Sequence, residues 1–148
     1  MLVPALLTET TADRADAFTS AIRAVTGREP ARIRAEGFTP AAGSMAIAAH
    51  LAADPACDSV FAVTDSLALG AFHGIKQSGR RVHDDVGVVG VGDTEHADFF
   101  DPPLTCVGPV YDQVVAEIVT LLFNLMSRRR VRPVEVFVPP TVARRTSA

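Results

Sequence analysis

A chain of 148 residues that is 48% apolar and 21% charged is long enough to bury a core and too apolar for disorder. Its net charge of −3 gives no electrostatic attraction to nucleic acid or to an anionic membrane surface. Two cysteines without a CxxC pair, no apolar run of membrane length and no basic leader point to a reducing, cytoplasmic setting without signal peptide or membrane span.

In chain order, short β-type runs alternate with helical windows. Leu2 to Thr8 reads as a strand. Asp13 to Thr26 reads as a helix with Ala17, Phe18, Ala21, Ile22 and Val25 on one face, capped by Thr11 and stopped by Gly27. Ala31 to Glu36 alternates as a strand does. Thr39 is an N-cap for the next helix, and Pro40 takes its first position, where a missing N–H costs nothing. Ser59 to Val63 is a strand that runs into a helix capped by Thr64 or Asp65 and stopped by Gly79. Val86 to Val91 is a continuous apolar run, the pattern of a strand buried on both faces. This alternation implies βαβ units: an α/β fold with a parallel sheet flanked by helices.

After Asp101–Pro103 the rhythm changes, because paired prolines forbid helix and force an extended crossing. Leu104 to Val107 is a short strand and Val110 to Ser127 a long apolar helix. A basic turn, Arg128 to Arg132, follows, then short strands at Val134 to Val138 and Thr141 to Arg145. The chain divides into a lobe (1–103), a crossing strand and helix (104–133) and return strands (134–148).

Most motifs that suggest chemistry have a simpler explanation. GVVGVG is not GxGxxG, no GK[ST] follows it, and its glycines serve close approach to a buried strand. His50, His73, His83 and His96 lack metal-ligand spacing, and no serine lies in a GxSxG elbow. The arginines at 128–132 sit where cations oppose a helix macrodipole. The turns that follow the strands are more informative, since ligands of open α/β sheets bind beyond the carboxyl ends of the strands. Those turns carry Arg14, Phe38, Thr64, Asp65, Gly92 and Asp93. A guanidinium for bidentate bonds, an aromatic face for stacking, a hydroxyl and carboxylate acceptors suit a polyhydroxylated or heterocyclic small molecule. Each also has a local alternative: Thr64 and Asp65 as helix caps, Asp93 as a turn residue, Arg14 as a surface partner of Asp13, Asp16 or Asp65.

VFAVTDSLALGAFHGIKQSGRRVHDDVGVVGVGDTEHADFFDPPLTCV is similar to the signature half of the lactose-repressor (LacI/GalR) family of bacterial transcription regulators. DRADAFTSAIRAVTG, EGFTPAAGSMAIAAHLA and VFVPPTVARRTS resemble other family segments in the same order, so the resemblance covers nearly the whole chain. It implies a periplasmic-binding-protein-like domain of two lobes that close around a sugar-like or nucleoside-like effector. Residues 1–103 would be the C-terminal lobe, and the helix after Val110 would belong to the N-terminal lobe. Arg14 and Phe38 match effector-binding positions, and Asp93 matches the second aspartate of the family's paired aspartates. Thr64 stands where the family has an asparagine, and Gly92 where it has an aspartate. The resemblance further implies a homodimer without cofactor or metal. Operator DNA would be reached only through a headpiece absent from these residues, and the apolar helix surface normally packed on the missing lobe would be orphaned. Two other classes compete: a sugar-binding component of a transporter with the same fold, and an α/β enzyme using Asp93 and His96.

Overall fold

The computed structural model describes residues 1–127 and 135–148. The order is β1 (Leu2–Pro4), α1 (Glu9–Thr26), β2 (Ile33–Ala35), α2 (Pro40–Ala53), β3 (Ser59–Phe61) and α3 (Asp65–Gln77). β4 (Gly87–Val91), a 3-10 turn (Glu95–Phe99), β5 (Thr105–Pro109), α4 (Tyr111–Met126) and β6 (Pro140–Ala143) follow. β1 and β2 pair in parallel, as do β3, β4 and β5, while β6 runs antiparallel on β5. A parallel bridge between Leu2 and Ala62, with the Val63 N–H donating to the Leu2 carbonyl at 3.3 Å, joins the two groups in the order β2-β1-β3-β4-β5-β6.

Capping explains the helix starts. Thr39 and Thr64 accept from the backbone of Ala42 and Leu67, as their positions before apolar windows imply. α1 begins four residues earlier than its periodicity suggests. Thr8 and Thr11 form a reciprocal capping box that outweighs the polar start of the segment, so Thr8, expected as the end of a strand, is the cap. Gly27 ends α1 in the left-handed conformation.

The core lies between the sheet and α2–α3. Val60, Val88 and Cys106 point to that side, and Leu67, Ala71 and Ile75 of α3 meet them. The two helices cross almost backbone to backbone: a Cβ on Gly70 would stand 2.2 Å from the Pro40 carbonyl, and one on Gly74 2.5 Å from that of Ser44. Gly90 lets α3 approach β4, since a Cβ there would stand 3.0 Å from an Asp65 oxygen and 3.4 Å from Ala68. The opposite face is covered by α1, whose Phe18 stacks on Phe61 at 4.3 Å.

β4 departs from the expectation of burial on both faces. Val88 and Gly90 are buried, but Gly87, Val89 and Val91 are only partly covered. Beside α1 this open side forms a cavity of about 670 Å³ lined by Phe18, Phe61, Val89 and Val107. The return segment departs too: Glu135 to Val138 form no strand, and only Pro140–Ala143 pairs with β5. The basic turn and Val134 lie outside the described residues. Beyond β6, Ser147 fills the ladder between β4 and β5. Its hydroxyl donates to the Val88 carbonyl at 2.6 Å and accepts from the Thr105 N–H at 2.8 Å, and its carbonyl accepts from the Val88 N–H at 2.7 Å.

Candidate functional site

Parallel strands end on the same edge, so the turns after β1, β3 and β4 converge there. Arg14 lies in the second turn of α1 and reaches across to donate from Nη1 to the Val63 carbonyl at 2.9 Å. It pairs with none of Asp13, Asp16 and Asp65, the partners expected for it; Arg32 pairs with Asp16 instead. Thr64 caps α3, and next to it Asp65 turns toward the β4 turn. One Asp65 oxygen accepts from the Thr94 N–H at 3.2 Å and from the Thr94 hydroxyl at 3.1 Å, while the other lies 3.5 Å from the Cys106 thiol. Burial first, then the Asp65 carboxylate, push the Cys106 thiol up to about 12, so it stays protonated and serves as a donor.

Gly92 lies against the Asp65 carboxylate. With φ of 148° and space only for a hydrogen, a Cβ there would stand 2.6 Å from an Asp65 oxygen. The Gly92 carbonyl accepts from the Tyr111 hydroxyl at 2.9 Å. Asp93 follows in the left-handed region at φ 56°. Arg145, from the end of the chain, holds it through Nη1 at 2.7 Å, bonds the Leu104 carbonyl at 2.9 Å and pairs with Asp98 through Nε. Burial works against the Arg145 charge, but Asp93 and Asp98 outweigh it and raise its pKa, so it is a permanent cation at this rim.

Arg14, Thr64, Asp65, Gly92 and Asp93 therefore form one cluster. Phe38 is separate: it follows β2, on the far side of β1, and is 41% exposed. Sequence reading missed Arg145, Tyr111, Thr94 and Cys106 as parts of the rim. Arg145 lay in the quoted VARRTS segment, but its partner is 52 positions away. No group of His, Cys, Asp and Glu able to hold a metal forms among the described residues.

A one-sided rim of this kind, with charged and hydroxyl groups at the carboxyl ends of parallel strands, lies where open α/β sheets bind their ligands. Residues 3–148 match the periplasmic binding protein-like domain, and the chain belongs to that family. Within it the likeness runs to LacI-type regulators. The chain is 34% identical over 99 residues to the HTH-type transcriptional regulator CelR of Thermobifida fusca, covering 67% of this chain and 29% of that protein. A transcriptional regulator CelR–cellobiose complex superposes with a TM-score of 0.82 at 27% identity, covering 99% of this chain and 46% of that one. A LacI family regulator from Arthrobacter sp. FB24 in complex with lactose gives 0.85 at 25%, covering 99% and 56%. The chain thus spans under a third of its curated relative and about half of the solved neighbours. These relatives are regulators, not enzymes. Asp93, one of the two residues an α/β enzyme would use, is bound to Arg145, and no helix among the described residues is long and apolar enough to cross a membrane.

Proposed function

We propose that the chain is the C-terminal part of the effector-binding domain of a bacterial DNA-binding transcription regulator, and that the rim binds a sugar-like or nucleoside-like effector. The convergence of Arg14, Thr64, Asp65, Gly92 and Asp93 at one strand edge carries this reading. Phe38 would stack on the ligand from the side once a second lobe closes over the rim. In this reading residues 1–103 are one lobe, the stretch 104–133 crosses toward the other, and 134–148 returns.

Two surfaces support an origin in a larger assembly. No residue of α4 is buried, and Ile118, Leu122 and Phe123 face solvent, the condition of a helix whose packing partner is another lobe. On the outer α2–α3 surface Met45 and Leu69 are exposed beside His73, and a homodimer would bury them. Effector binding would favour one inter-lobe angle and so shift the dimer that presents the DNA-binding headpieces. The fit of relatives to regulators favours this over a transporter component.

The test is a nuclear magnetic resonance titration of the labelled chain with cellobiose, lactose and ribose. Saturable shifts at the amides of Val63, Thr64, Gly92 and Thr94 are expected for at least one sugar. An absence of rim shifts throughout, extended to a nucleoside panel, would sink the reading.

A further inference from the structure

We infer that Arg145 is a positioning residue of the rim: it fixes Asp93 by one carboxylate oxygen and so presents the other, Oδ2, to a hydroxyl of the effector. The inference rests on the effector-binding reading and deepens it.

The backbone of the turn after β4 is set from three sides. The Asp65 carboxylate lies against Gly92, and the Tyr111 hydroxyl donates to the Gly92 carbonyl. β5 comes so close that a Cβ on Gly108 would stand 2.4 Å from that carbonyl and 2.8 Å from the Asp93 Cβ. Asp93 follows in the left-handed region at φ 56°, which aspartate tolerates better than most residues with a Cβ. None of these contacts orients the Asp93 carboxylate. That falls to Arg145, whose Nη1 donates to Oδ1 at 2.7 Å. Oδ2 has no partner among the described residues, and the side chain is 23% exposed, so a ligand can reach it. A carboxylate accepts at about four lone-pair sites, and this guanidinium occupies one of them.

Arg145 is itself anchored. Nη1 also donates to the Leu104 carbonyl at 2.9 Å, and Nε pairs with Asp98. Docking of the final segment does not need the guanidinium. The Arg145 N–H donates to the Thr105 hydroxyl at 3.0 Å, that hydroxyl donates back to the Arg145 carbonyl at 3.0 Å, and Ser147 bridges β4 and β5. Every side-chain bond of Arg145 instead goes to the stretch 93–104. A carboxylate fixed beforehand in this way loses little rotamer freedom when a ligand binds.

A double-mutant cycle read by nuclear magnetic resonance tests the assignment. Cellobiose, lactose, ribose and adenosine are titrated into the labelled chain, Arg145→Gln, Asp93→Asn and the double variant, and the tightest-binding probe is compared across the four. Each single change is expected to weaken binding about tenfold, the scale of a hydrogen bond to a charged group. The double variant is expected to bind no more weakly than Asp93→Asn, because the guanidinium acts through Asp93. Arg145→Lys keeps the charge without the planar fork; it is expected to recover part of the affinity, and it carries the cycle if the glutamine variant folds poorly. Unshifted Val88 and Thr105 amides check that the final segment stays docked. Native affinity in either single variant, or losses that multiply in the double variant, would overturn the positioning role and leave the effector site standing. Rim amides silent to all four probes in the unmutated chain would remove both.

Discussion

α4 is longer and more apolar than α3, yet the two helices have the opposite fates from what that alone implies. Seven residues of α3 are buried, among them Leu67, Phe72 and Ile75. α4 has none, and Val115, Ile118, Leu122, Phe123, Leu125 and Met126 are all more than half exposed. The difference lies in the partners. α3 has two glycines that let α2 come within backbone contact and a glycine in β4 that admits its first turn. α4 follows β5 and, among the described residues, lines a small cavity with Val136 and Val138. An amphipathic pattern says that a helix needs a partner; where that partner is depends on chain topology.

The contrast breaks most severely at Gly70. Gly70→Val would drive side-chain atoms into the Pro40 carbonyl and the Ser44 N–H, and a loss of about 3 kcal/mol or more is expected in urea unfolding. Unchanged stability would show that α2 and α3 are not in backbone contact. Leu67→Ala, at a fully buried site, is expected to cost about 2–5 kcal/mol, whereas Leu122→Ala, at 53% exposure, should stay within about 0.5 kcal/mol. Equal losses at the two sites would mean α4 is packed. Ser147→Ala leaves the Val88 carbonyl and the Thr105 N–H unpaired in a buried ladder, for an expected cost of about 1–3 kcal/mol by the same unfolding curves.

Two smaller effects sharpen the contrast. The exposed face of α4 should enhance the fluorescence of a hydrophobic dye, and the double change Ile118→Lys with Leu122→Lys should remove most of the enhancement. The core beneath α3 should show in the thiols: partly exposed Cys57 is alkylated by iodoacetamide at pH 8, and native Cys106 is not. The Cys106 thiol is raised in the folded state from 9.0 to about 12. Stability from keeping it neutral is therefore intact below pH 9 and is lost as pH rises from there toward 12. Cys106→Ala should flatten that part of the stability profile; an unchanged profile would assign the alkaline loss to other groups.

Much of the fold was legible because its signals are local. Thr39 with Pro40, Thr64 before an apolar window, and Gly27 after one act over three or four residues, and each stands where such residues belong. The start of α1 was misjudged because two threonines capping each other resemble the end of a strand until the turn forms. β4 read as doubly buried because an apolar run records what a strand can bury and not what covers it. The rim was legible as a set of turns after strands, which a parallel sheet brings together by geometry. That Arg14 would go to the Val63 carbonyl and not to an acid beside it was not legible.

By itself the sequence determined the alternation of strand and helix, the caps and the turns that share an edge, since each depends on neighbours along the chain. The tertiary structure alone decided who pairs with whom across it. Arg145 reaches Asp93 over 52 positions, Ser147 fills the β4–β5 ladder, and the Asp65 carboxylate lies against Gly92. Such contacts are selected by the few-ångström fit of distant segments, and no local pattern encodes that distance.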